Sequence, residues 1–135
     1  MIVLGAQGFL GRYLSRHWPT PEDRVVIDCL REETHLGDRI QQYAGQGRYV
    51  YLSSVAVTHW EQGGPQTNYV KQKHLSEVYA RSKGAVVVRL PTIYGGGGWR
   101  SWPLQAVKAL CVGSSVREMR SRAWAVREIS QAVEG

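Results

Sequence analysis

The segment "GAQGFLG", residues 5–11, restricts the fold of this chain more than any other. It follows the apolar run "MIVLG", whose length suits a buried strand. It leads into "FLGRYLSRHW", where Phe9, Leu10, Tyr13, Leu14, His17 and Trp18 recur at helical spacing until Pro19 and Pro21 stop the pattern. Strand, glycine turn and helix are therefore predicted in immediate succession. Gly5 permits a tight turn, Gly8 lets the backbone approach a ligand, and Gly11 lets the helix lie close against the strand. A helix start of this kind offers N–H groups and a partial positive charge to phosphate oxygens. The spacing is GxxGxxG rather than GxGxxG, so the dinucleotide fingerprint is met only approximately. The bland alternative is a glycine-rich turn that binds nothing.

The remaining pattern alternates in the same way. "RVVIDCL" reads as a second buried strand ending in Asp28, 17 residues after Gly11. A carboxylate there is placed to accept ribose hydroxyls and would repel a 2′-phosphate, which favours NAD over NADP; Arg12 and Arg31 weaken that preference without reversing it. Residues 38–46 read as a short helix and "RYVYLSSVAV" as a third strand. "HWEQGGPQT" reads as a turn region. A helix is expected from Asn68 to Ser82, closed by Gly84, with Leu75, Val78 and Tyr79 on its buried stripe. "AVVVRL" is a fourth strand, and Pro91 ends it. Further helices are expected near "PLQAVKAL" and "VREISQAVE". The fold class is α/β with a mostly parallel, doubly wound sheet of reduced strand number.

The chain has 135 residues and fits one domain with one core. No apolar run approaches the length of a membrane span. The opening "MIVLG" carries no basic leader, and two distant cysteines, Cys29 and Cys111, fit a reduced, cytoplasmic chain. Four scattered histidines give no metal site. A net charge of +6 suits an anionic partner such as a nucleotide, a nucleotide-linked sugar or a nucleic acid. No recognition-helix pattern or aromatic platform favours nucleic acid.

"NYVKQK" then puts Tyr69 and Lys73 four residues apart, on one helix face. Taken in order, "GAQGFLG", the acid after strand two, "YVYLSSVAV", "YVKQKHLSE" and "VVVRLPTIYGGG" resemble the extended short-chain dehydrogenase/reductases, which include NAD-dependent sugar-nucleotide epimerases and dehydratases. "WAVREISQAV" looks like that family's late strand-to-helix segment. The resemblance implies a Rossmann-like fold, NAD as cofactor and a nucleotide-linked sugar as substrate. It makes Tyr69 the catalytic acid/base, Lys73 its partner and a ribose ligand, and Ser54 the hydroxyl that polarises substrate, with Ser53 a structural neighbour. A phenol titrates near pKa ~10, and a nearby ammonium favours its phenolate. The cofactor-lining set implied is Gly5, Gly8, Phe9, Leu10, Gly11, Asp28, Lys73 and Pro91. Family members commonly dimerise through the tyrosine-bearing helix, so a homo-oligomer is expected.

The chain departs from the family in length, since members usually run to more than twice its size. Only 42 residues lie between Gly11 and Ser54, an interval that normally holds two more strands. Only 40 follow Gly95, so no separate substrate domain is expected and residues 96–135 read as a vestige of one. With central strands missing, the first and third strands are expected to lie side by side. Trp99, Arg100 and Trp102 in "GGGGWRSWP" read either as a nucleotide-stacking lid or, more simply, as an anchored loop. The alternative to an enzyme is a non-catalytic homologue that binds a dinucleotide or a protein.

Overall fold

The computed structural model describes residues 1–94 and 119–135. The expectations for "GGGGWRSWP" (with Trp99, Arg100 and Trp102), for a helix near "PLQAVKAL" and for Cys111 lie outside the described residues. Four parallel strands, β1 (Ile2–Leu4), β2 (Val25–Asp28), β3 (Arg48–Ser54) and β4 (Val86–Leu90), form one sheet in the order β1-β2-β3-β4. The helices are α1 (Phe9–His17), α2 (Leu36–Gln42), α3 (Val55–Glu61), α4 (Asn68–Ser82) and α5 (Arg122–Glu134). Two short strands, β5 (Ile93–Tyr94) and β6 (Arg120–Ser121), pair in parallel and tie the tail to the end of β4. The protein is thus α/β. None of its described helices is long and apolar enough to cross a membrane.

Strand alternation sorts the core into two halves. Val25, Ile27, Val50, Val88 and Leu90 face α1 and α5, meeting Leu14, Ala125, Val126 and Ile129. Val26, Tyr49 and Tyr51 face α2 and α4, meeting Leu36, Ile40 and Ala80. Both faces of the sheet are covered, which explains why the strands read as continuous apolar runs.

The strand order corrects one expectation. The first and third strands do not touch, because β2 lies between them and pairs with both. A buried parallel strand as apolar as Val25–Ile27 is most stable with neighbours on both edges, and the central place supplies them. There is a chiral consequence. The steps β1 to β2 and β2 to β3 run the same way across the sheet, yet α1 and α2 cover opposite faces. The two crossovers therefore have opposite hands, and one departs from the right-handed rule that nearly all such units obey.

Local differences have local causes. "VAV" after the two serines begins α3 rather than extending β3, because the Ser54 hydroxyl accepts a hydrogen bond from the Ala56 amide and caps a helix there. That helix takes His59, Trp60 and Glu61 out of the expected turn region. The α2 helix starts two residues early, at Leu36, and ends at Gln42. The stripe of α4 is inverted: Leu75, Val78 and Tyr79 are 69%, 52% and 39% exposed, while Val70, Glu77 and Ala80 face inward. Glu77 takes the inner position because Arg89 on β4 needs its carboxylate, donating to Oε1 and Oε2 at 2.7 and 2.9 Å.

Candidate functional site

The glycine turn is shaped by its own backbone. Gly5 has φ +79°, a conformation that disfavours other residues, and its carbonyl accepts from the Gly8 amide at 3.0 Å. A Cβ on Gly11 would fall inside contact distance of the Gly5 carbonyl, so only glycine lets α1 seat this closely. Gly8 caps α1 without any side-chain hydrogen bond. The turn and helix start together fit a pyrophosphate. Phe9, Leu10 and Gly11 form the first turn of that helix, and Arg122 of α5 stacks over the Phe9 and Tyr13 rings at 5.1 and 4.6 Å.

Asp28 ends β2 as expected, but its carboxylate is buried and engaged. Oδ2 accepts from Arg39 Nε at 2.9 Å and from the Tyr49 hydroxyl, and Oδ1 accepts from the Leu30 amide at 3.0 Å. Burial, then the Asp28 hydrogen bond, holds the Tyr49 phenol protonated well above its ordinary range. Arg39 also donates to the Glu32 carboxylate at 2.6 Å and to the Glu32 carbonyl, pinning the loop after β2. Cys29, the next residue, is pushed up to about 12 by burial and by the Asp28 charge, which keeps it an unreactive thiol.

Ser54 ends β3, while Tyr69 and Lys73 stand on α4, from which Lys73 reaches β3. Thr67 caps α4 by accepting from the Val70 amide, which sets the entry of the helix and the direction of Tyr69. Tyr69 is half exposed. Lys73 lies below it, with Nζ 5.9 Å from the Tyr69 ring centroid and 3.4 Å from the Leu52 carbonyl on β3. Lys73 is not free. Its ammonium donates to Glu33 Oε1 at 2.6 Å, and that carboxylate also accepts from the Tyr51 hydroxyl and from Ser76 Oγ. Burial, and with it the Glu33 charge, raises the Tyr51 phenol against the Ser76 hydrogen bond, so Tyr51 stays a donor. Pro91 is buried just past β4, beside the β5–β6 pair.

Sequence reasoning missed Glu33, Tyr51 and Ser76. Ser76 stands three residues after Lys73 on the same helix face, a spacing that was legible. Tyr51 alternates with Tyr49 along β3, which placed both on one face. Nothing in "REETH" distinguishes Glu33 from Glu32, because loop conformation decides which carboxylate turns inward.

The glycine loop follows β1, and Lys73 on α4 reaches the C-terminal part of β3, with β2 and the β2–α2 loop between them. At roughly 4.8 Å per strand step, β1 and β3 are about 10 Å apart across the sheet. No protein-family model and no curated protein matches this chain. Among solved structures, the capsular polysaccharide assembling protein CapF from Staphylococcus aureus is similar in fold, with a TM-score of 0.61 and 18% sequence identity. The match covers 99% of this chain and 50% of that one, so the chain spans about half the length of its structural neighbour.

Proposed function

We propose that this protein is a short relative of the extended short-chain dehydrogenase/reductases that binds NAD through a Rossmann-like glycine turn and acts on a nucleotide-linked sugar. One observation carries the reading. Lys73 reaches from α4 to the backbone of the strand ending in Ser54 and lies 5.9 Å from the centroid of the exposed Tyr69 ring, which supports a shared role for the three. The fold neighbour assembles capsular polysaccharide, which agrees with a carbohydrate as substrate class.

In this reading Gly5, Gly8, Phe9, Leu10 and Gly11 hold the pyrophosphate, and Pro91 helps line the far end. Bound there, the dinucleotide would supply the hydride acceptor. Ser54 donates its hydroxyl proton to the substrate oxygen while its Oγ still caps α3. Tyr69, open to solvent, takes the substrate hydroxyl proton as general base. Lys73 steadies the phenolate by charge. The positive net charge attracts the diphosphate. Self-association through α4 belongs to the same reading.

A second reading has an observation of its own. Asp28 is saturated by Arg39 and Tyr49, and Lys73 by Glu33, which favours a non-catalytic homologue that binds a dinucleotide or a protein. The two separate on Tyr69→Phe, assayed with NAD over a panel of nucleotide sugars. An enzyme loses turnover about 100-fold or more while its NADH affinity stays within about twofold. Equal turnover in the variant removes Tyr69 from the chemistry, and a protein that neither carries nor titrates with a dinucleotide overturns the first reading.

A further inference from the structure

Glu33 is an unusual occupant for the place it holds. Its side chain is 8% exposed and reaches in from a loop, although Arg31, Thr34 and His35 of the same stretch are exposed. Three donors converge on it: Lys73 Nζ at 2.6 Å, Ser76 Oγ at 2.8 Å, and the Tyr51 hydroxyl at 2.9 Å from both oxygens. The donors come from β3 and α4, whereas the acceptor comes from the segment between β2 and α2. A hollow of about 320 Å³ lies alongside, lined by Glu33, Leu36, Gly37, Leu75, Ser76 and Tyr79. Glu33 and Ser76, joined by their hydrogen bond, are part of its lining. Such a set of one ammonium and two hydroxyls, largely withdrawn from water, is complementary to an oxyanion of any origin.

We propose that Tyr51, Lys73 and Ser76 form an oxyanion clamp that meets the α2–α4 hollow at Glu33 and Ser76, and that Glu33 fills it as an internal ligand, standing where the phosphoryl or carboxylate group of an incoming ligand binds. Release of Glu33 frees Lys73 for that ligand. It also unpins one end of the loop that separates the glycine turn from Tyr69. Where this concerns a dinucleotide it rests on the reading above, but the clamp is testable without one.

The test measures reductive methylation of Lys73 in the full-length chain, by mass spectrometry of chymotryptic peptides. Exposed Lys71 serves as the internal reference. Glu33→Gln is expected to speed Lys73 labelling about tenfold. Ser76→Ala keeps the ion pair and loses one neutral donor, so about threefold is expected from a bond worth about 1 kcal/mol or less. In Glu33→Gln, millimolar inorganic phosphate or acetate should slow Lys73 labelling again. Protection by phosphate alone assigns a phosphoryl group, and protection by acetate alone a carboxylate. Unfolding would speed labelling without protection by either anion. Unchanged labelling in both variants, or no protection by either anion, overturns the proposal. NADH titration runs in parallel: a clamp that phosphate protects in a protein blind to NADH upholds this inference and removes the dinucleotide reading.

Discussion

At the scale of single residues, buried charge among the described residues is met by opposite charge on a neighbouring element. Glu77 is fully buried between Arg89 and Arg81. Burial works against its ionisation, yet the Arg89 hydrogen bonds prevail and hold it below the usual carboxylate range. A carboxyl whose folded-state value is depressed contributes stability that is complete above its unfolded value, about 4.3, and disappears as pH falls through the folded value. Glu77→Gln should therefore lower stability by about 3 kcal/mol at pH 7 in urea titrations. The gap to the unmodified protein should narrow steadily below about pH 4. A gap that stays constant from pH 7 to pH 3 would assign the loss to packing instead. Neither Glu77 nor Arg89 announced itself in the sequence, because a charged residue on a helix reads as solvent-facing until the opposite strand is known.

At the scale of elements, the four strands of the main sheet and the long helices were legible, since period and punctuation define them; the short β5–β6 pair was not. The helix α4 runs over the expected Asn68–Ser82, and α5 ends where "VREISQAVE" does. The burial direction of α4 was not legible. Its apolar residues Leu75, Val78 and Tyr79 form a stripe at helical spacing, which ordinarily seeks the core, but the core face is claimed by Val70, Glu77 and Ala80. An exposed apolar stripe is the natural face for the self-association proposed above. The homo-oligomer proposed above is expected to use it. Leu75→Glu combined with Val78→Lys should convert the assembly to monomer in light scattering, with circular dichroism unchanged. A protein already monomeric at tens of micromolar before substitution would refute self-association.

At the scale of the whole molecule, the alternation of strand and helix announced a parallel α/β sheet, and that much followed from periodicity. Which strand lies beside which did not, because every apolar strand here offers similar edges and only the completed packing ranks them. The C-terminal helix α5 is central to that packing. Ala125, Val126 and Ile129 close the sheet face against Leu14 and Val88. Ile129→Ala should cost about 2–4 kcal/mol by the cavity it leaves, visible as a lower urea midpoint at unchanged slope.

The linear strand order also bears on the birth of the chain. Each strand pairs with the one made just before it, so the sheet can lengthen in step with the ribosome, without waiting for later segments. The face under α1 has no such luck. Leu14, Ile27 and Val50 are finished early, while α5, the helix that completes their cover, is translated after all four strands. One side of the nascent protein matures strand by strand, and the other remains open to chaperones until α5 has emerged.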